Sequence, residues 1–328
     1  MRILFIGGTR FVGRAMAEAA IARGHDVTVL HRSPTAAVPE AEHLLADRDR
    51  DLTVLHGREF DATVDVCAYV PRQVATVAQA LGGRGGHHVF ISTMSVYAED
   101  QRPGFGEDGP LVELDDPATE DVTDTTYGGL KVLCERAATA AHGDGGLAIV
   151  RPTYVVGPHD PTGRFTWWVS RIAAGGEVLA PGPADAPMQV IDARDQGAWT
   201  IGLAERGATG AFNAVAPPMP YTFGDMLGDI AAGVAPAGTT LRWVEGGWLR
   251  QQGEDGMSLP LWSEGEKEST MAASQARAVE TGLTGRPVAE TAADTWAWLR
   301  ADEVDVSGWH LTREREAELL GRWEVHSA

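Results

Sequence analysis

The stretch Ile3-Leu4-Phe5-Ile6-Gly7-Gly8-Thr9-Arg10-Phe11-Val12-Gly13 decides how the rest of the chain is read. Its first four residues form a short, wholly apolar run, as expected of a strand covered on both faces. Two glycines then permit a tight turn. Beyond it, residues 14–23 are Ala-rich, Val12, Met16, Ala19 and Ala20 recur on one helical face, and Gly24 supplies a stop. Val27-Thr28-Val29-Leu30 follows as a second strand. A strand, a helix and a strand within about 30 residues form the unit from which parallel sheets are built.

The alternation continues along the chain. Local pattern leaves the third strand open between residues 42–46 and residues 52–55. Strands are predicted over 63–66, 88–91 and 147–150, and helices over 72–81 and 126–141. The rhythm then loosens around Gly157-Pro158 and Pro181-Gly182-Pro183, before strands at 189–191 and 211–213 flank a helix over 193–205. All ten Trp lie after residue 160, so composition shifts where the rhythm does. The expected fold is α/β, a doubly wound parallel sheet with a second, smaller α/β domain. The first domain is assigned residues 1–155 plus 188–215, and the second 156–187 plus 216–300. Residues 301–328, which include the charged run from Thr312 to Leu320, are expected to form a C-terminal helical extension.

Composition narrows the classes of function. The 328 residues are 44% hydrophobic, enough apolar surface to offset chain entropy, so a folded chain is expected. A net charge of −19 argues against a nonspecific nucleic-acid or anionic-membrane binder, which needs Lys and Arg to neutralise phosphates. Two cysteines, Cys67 and Cys134, cannot build a disulfide framework, and both are expected to pack as buried apolar residues. No membrane span or signal-peptide architecture is read, so a cytoplasmic location is expected. No metal site is expected either. His87-His88 alternate faces of a strand, and His159-Asp160 reads as a loop turn.

Four motifs carry chemistry. The turn from Gly7 through Gly8, Thr9, Arg10, Phe11 and Val12 to Gly13 lies between a strand and a helix, where backbone N–H groups and the helix N-terminus can meet a pyrophosphate. Strand two ends Leu30-His31-Arg32-Ser33, without the Asp or Glu that holds a ribose 2′-hydroxyl; Arg32, joined by Arg10, suits a 2′-phosphate instead. This favours NADP(H), with NAD(H) as second choice. In Tyr127-Gly128-Gly129-Leu130-Lys131 a spacing of four puts phenol and ammonium on one helix face, and a nearby cation makes a phenol a better acid/base. The only lysines are Lys131 and Lys267, so roughly 0.03 such Tyr/Lys pairs would arise by chance. Finally, Ile91-Ser92-Thr93-Met94-Ser95-Val96-Tyr97 places a hydroxyl at the C-terminal end of a buried strand, where ligands bind in such sheets.

Together with Arg151-Pro152-Thr153-Tyr154-Val155-Val156-Gly157-Pro158 and residues 189–195 and 286–299, these motifs resemble the extended short-chain dehydrogenase/reductase family, also called the NAD-dependent epimerase/dehydratase family. The resemblance covers residues 1 to about 300 and implies a Rossmann domain followed by a substrate-binding domain. It implies Tyr127 as general acid/base, Lys131 as the ribose-binding cation that lowers the Tyr127 pKa, and Thr93 as the holder of the reacting oxygen. It places Asp47 near adenine, which selects 42–46 as the third strand, and extends the cofactor contacts to Ala68, Pro152 and Val155. On the substrate side it implies Thr93, Tyr97, Tyr154, Arg164, Trp167 and Trp168.

Departures from the family pattern are informative. Arg10 stands where GxxGxxG has its middle glycine, as in an atypical branch of the family. Met94-Ser95 follow Thr93 where sugar-nucleotide dehydratases carry Asp-Glu, which argues against water elimination. Tyr154 replaces an Asn typical of sugar-nucleotide epimerases. The expected activity is an NADP(H)-dependent oxidoreductase acting on a carbonyl or alcohol of a small organic molecule, without nucleic-acid or membrane partners, in a chain that forms a homodimer. Two alternatives stay open, a nucleotide-sugar epimerase with retained NAD and a non-enzymatic dinucleotide- or RNA-binding relative.

Overall fold

The computed structural model describes residues 1–32, 38–99, 101–263, 271–306 and 308–327; Ser33 and Lys267 lie outside them. In chain order the elements are β1 (Arg2–Ile6), α1 (Phe11–Ala22), β2 (Asp26–His31), β3 (Glu42–Leu45), β4 (Ala62–Asp65), α2 (Pro71–Leu81), β5 (His87–Ile91), α3 (Tyr127–His142) and β6 (Leu147–Pro152). They continue with β7 (Tyr154–Val156), α4 (Arg164–Ala173), β8 (Glu177–Pro181), β9 (Val190–Asp192), α5 (Ala193–Arg206) and β10 (Gly210–Ala214). The last are α6 (Phe223–Val234), β11 (Thr240–Val244), α7 (Gly246–Gln251), α8 (Ala276–Glu280), α9 (Val288–Ala301) and α10 (Arg313–His326).

The chain divides into two compact units. The first contains Met1–Tyr154, Ala193–Ala216 and Ala273–Thr284. Among its described residues a seven-stranded sheet runs β3-β2-β1-β4-β5-β6-β10, and every pairing is parallel. The order reverses between β1 and β4, the switch point beyond whose strand ends such sheets bind ligands. Every residue of strands β1, β4 and β5 except Arg2 and His87 is buried, because helices cover both faces of the sheet. Leu4, Ile6, Leu30, Leu44, Val77 and Leu81 fill one cluster. Helix α5 packs closely on α1, where a Cβ at Gly197 would lie 2.9 Å from the Ala15 carbonyl.

The third strand is Glu42–Leu45, as the family resemblance predicts. The competing stretch instead forms a single 3-10 turn, Thr53–Leu55, whose Leu55 plugs the Leu4 cluster together with Leu52. Those two leucines explain why it reads as apolar without being a strand.

The second unit contains Val155–Asp192, Pro217–Ala272 and Gly285–Ala328. It holds the parallel pair β8–β11 and a packed set of helices α4, α6 and α9. Its boundaries differ from the predicted ones in several respects, the first being that residues 188–192, with β9, belong to this second unit. Residues 273–284 go with the first unit, where α8 packs on β10. Residues 301–328 are no appendage, because Arg171 of α4 donates through Nε to both carboxylate oxygens of Glu316 on α10, at 2.9 and 2.7 Å, with both side chains buried. The Leu179 N–H of β8 also donates to Glu316, at 2.9 Å. No described helix is long and apolar enough to cross a membrane.

Candidate active site

The glycine-rich turn between β1 and α1 has the geometry its composition demands. Gly8 has φ +98°, a conformation that L side chains avoid. A Cβ on Gly13 would fall 2.6 Å from Gly8 Cα, so the helix reaches the turn only with glycine there. Arg10 has an ordinary extended backbone, φ −135°, which is why the middle glycine of the usual pattern is dispensable. Helix α1 starts without a side-chain cap and without an acid in its first turn. An uncapped, acid-free N-terminus behind a glycine turn suits an anionic ligand. Arg10 and Arg32 are both exposed. Asp47 lies in the loop after β3, where it accepts from its own turn at Asp49 N, 3.0 Å away.

Beneath this turn lies a buried ion pair that sequence reading missed. Arg48 donates from Nη1 and Nη2 to the two oxygens of Asp65, both at 2.7 Å, at the end of β4. The adjacent Arg guanidinium holds the fully buried Asp65 carboxyl below its usual range, against the opposing effect of desolvation. Cys67 packs against the Leu4 cluster as expected, but it is only part-buried and its setting is partly polar. Its thiol donates to the Ile6 carbonyl at 3.4 Å and accepts from Arg48 at 3.6 Å. Cys134 does pack in an apolar cluster, with Phe90 and Leu147.

Tyr127 opens α3 and is half-buried, whereas Lys131, one turn on, is only 3% exposed. The Lys131 ammonium donates to the carbonyls of Ala68, at 2.9 Å, and Ile91, at 2.6 Å, which follow β4 and end β5. It also lies 4.3 Å from the centre of the Phe90 ring. Burial pushes its pKa down to about 8, partly offset by the neighbouring Cys134, Asp65 and Glu135. The half-exposed Tyr69, a residue missed in the sequence, has its ring 6.3 Å from that of Tyr127.

Thr93 begins a 3-10 turn, Met94–Val96, at the end of β5. Its hydroxyl accepts from Ser95 N at 3.1 Å and lies 3.3 Å from Ser95 Oγ. A Cβ on Gly128 would lie 2.1 Å from the Ser95 carbonyl oxygen, so the Tyr127 helix presses directly on the Thr93 turn. The structure thereby brings the Thr93, Tyr127 and Lys131 segments together at the sheet's C-terminal edge.

A buried network holds that arrangement. Ser92 Oγ donates to Glu135 Oε1 at 2.5 Å, and Arg151 donates to Glu135 through Nε, at 3.0 Å, and Nη2, at 2.7 Å. Tyr97, expected to contact substrate, belongs here instead: its hydroxyl accepts from Arg151 at 2.7 Å and donates to Asn213 at 2.7 Å, in the interior. Two signals point to the network in the sequence. Glu135 is four residues beyond Lys131 on the same helical stripe, and Arg151 interrupts an apolar strand.

Two further substrate-side expectations are corrected by the second unit. Trp168 is fully buried and donates from Nε1 to the Pro260 carbonyl at 2.6 Å, with Phe223 against its ring. Trp167 packs edge-on against Trp168 and His310. Both are core of that unit, because α4 is buried around most of its circumference. Arg164 and Tyr154 are part-exposed, as is Val155; Pro152 is buried at the end of β6, and Ala68 after β4.

The fold and this edge define a doubly wound α/β protein. Residues 61–214 match the model of the NAD dependent epimerase/dehydratase family. The chain is 37% identical over 83 residues to the phenylcoumaran benzylic ether reductase IRL1 of Ginkgo biloba, a match covering 25% of this chain and 26% of that protein. It therefore spans about a quarter of the length of that relative. A solved epimerase-class structure from Burkholderia cenocepacia J2315 is similar with a TM-score of 0.71 at 20% identity, covering 92% of this chain and 98% of the other. The Bordetella bronchiseptica enzyme WbmH, solved in complex with NAD+, is similar with a TM-score of 0.68 at 17% identity, covering 92% and 99%.

Proposed function

We propose that the protein is an NADP(H)-dependent oxidoreductase acting on a carbonyl or alcohol of a small organic molecule. The observation that carries this reading is the buried Lys131 ammonium, fixed by two strand-end carbonyls one helical turn from Tyr127. Desolvating an ammonium is costly, and a helix–sheet core gains nothing from it that an apolar side chain would not supply.

The residues present fit a dinucleotide. The turn from Gly7 to Gly13 and the uncapped start of α1 would hold the pyrophosphate, and the close packing of Gly13 on Gly8 keeps the helix N-terminus against that turn. Arg32 and Arg10 would meet the 2′-phosphate, since no acid ends β2. A bound nicotinamide supplies or accepts the hydride. Thr93 donates its hydroxyl to the reacting oxygen. Tyr127 gives that oxygen a proton in reduction and takes it back in oxidation. Two of the three Lys131 donors are used by carbonyls, and the third serves the ribose while the positive charge favours the phenolate. Arg164 and Tyr154 remain the substrate-side candidates.

The similarity to a reductase over a quarter of its length supports oxidoreduction. Turnover is tested with NADPH and a panel of aldehydes, ketones and quinones. Tyr127→Phe is expected to bind NADPH as the wild type does and to lose turnover by about 100-fold or more. Retained turnover overturns the acid/base assignment.

A further inference from the structure

We infer that the buried pair Glu135–Arg151 is a positioning device that fixes Thr93 relative to Tyr127. The proposal rests on the oxidoreductase reading above and adds residues to it. Thr93 sits in a turn whose two flanking residues, Ser92 and Tyr97, both hydrogen-bond to this one ion pair. Ser92 donates to Glu135 at 2.5 Å, and Tyr97 accepts from Arg151 Nη1 at 2.7 Å. The turn is thus gripped at both ends. Glu135 is on the helix that carries Tyr127 and Lys131, two turns beyond Tyr127, so the grip joins the strand end to that helix.

The grip is stiff for physical reasons. Ser92, Glu135 and Arg151 are each about 5% exposed or less, so water does not compete for their hydrogen bonds. Glu135 receives three bonds, and Arg151 spends its two Nη1 donors on Tyr97 and on the Glu107 carbonyl, the latter at 2.9 Å. Bonds of this charge-assisted kind are short and directional. β5 and β6 are also neighbours here, with Ser92 N donating to the Val150 carbonyl at 2.7 Å. None of these groups touches the reacting atoms. Their effect runs through placement of the Thr93 hydroxyl, where displacement by about 1 Å costs on the order of 100-fold in rate.

Deleting Glu135 would strand a buried guanidinium and unfold part of the domain, so the informative variant is Ser92→Ala. It removes one bond and leaves the ion pair whole. Expected are a fall in kcat of about tenfold or more, an unchanged NADPH dissociation constant by fluorescence and a melting temperature within a few degrees of wild type. The primary deuterium isotope effect with 4-deuterated NADPH rises, because hydride transfer becomes slower than product release. Ser92→Thr, which restores a hydroxyl, is expected to recover most of the turnover. Wild-type kcat and isotope effect in Ser92→Ala overturn the proposal, as does a loss that merely tracks NADPH affinity or melting temperature. Tyr127→Phe, run alongside, separates the two claims. If it is dead while Ser92→Ala is fully active, only the positioning role fails. Activity in both overturns the acid/base assignment and this role, whereas a wild type that turns over nothing in the panel overturns the oxidoreductase reading and this role with it.

Discussion

Gly128 lies against the backbone of Ser95 so closely that a methyl group on it would come within 2.1 Å of the Ser95 carbonyl oxygen. The contact is between two backbones, so no side chain can swing away to relieve it. Gly128→Ala is therefore expected to push α3 off the Thr93 turn. A destabilisation of about 1–3 kcal/mol is expected, typical of overpacking, together with loss of most turnover. Urea denaturation and steady-state rates check this; a fully active, fully stable variant would show that the contact is not needed.

The buried Lys131 predicts a pH-dependent stability difference. Its pKa is near 8 in the folded protein, against an ordinary value of 10.5. Between these values the unfolded chain binds more protons, so this group's contribution to stability rises with pH. Relative to Lys131→Met, the wild type should gain about 2 kcal/mol between pH 7.5 and pH 9.5. Denaturant melts of both proteins at the two pH values test it, and a constant difference would refute it. Turnover is expected to vanish in the variant at every pH.

His88 predicts a dependence of the same sign in the acid range. It is buried in β5, stacked on His142 with ring centres 4.0 Å apart, and both of its ring nitrogens lack a hydrogen-bond partner. Burial lowers its pKa from 6.5 to about 3. Its neutral form thus contributes stability that is present above pH 6.5 and lost progressively as pH falls towards 3. His88→Leu removes that dependence. The stability of the variant over wild type should grow by about 2 kcal/mol from pH 7.5 to pH 5. Equal acid sensitivity of the two proteins would count against it.

Cofactor choice is tested at Arg32. Replacing it by Asp exchanges a partner for a 2′-phosphate for one that suits a 2′-hydroxyl. A charge-assisted hydrogen bond contributes about 1.5–3 kcal/mol, so the NADPH-to-NADH affinity ratio should fall by about 10- to 100-fold. Titration of both cofactors by fluorescence measures the ratio directly. If it does not change, Arg32 does not read the phosphate.

The sheet was legible because it is written locally. Ile3 to Ile6 can only be a doubly covered strand, and Gly8 and Gly13 announce a turn where backbone meets backbone. Tyr127 and Lys131 share a helical face by spacing alone, and the scarcity of lysine made that pair conspicuous. Where a residue ends up inside is a different kind of fact. Trp167 and Trp168 read equally well as pocket lining or as core, and only the packing of α4 made them core. Tyr97 went to the interior because Arg151 and Asn213, 54 and 116 residues away in sequence, meet its hydroxyl there. Buried ion pairs such as Arg48–Asp65 and Glu135–Arg151 depend on which strands become neighbours, and burial changes both their cost and their pKa values. The sequence by itself determined the elements and the chemistry they can offer. Tertiary structure alone decided which of those groups lost their water, and that loss turned Lys131 from one charge among many into a fixed ammonium beside a tyrosine.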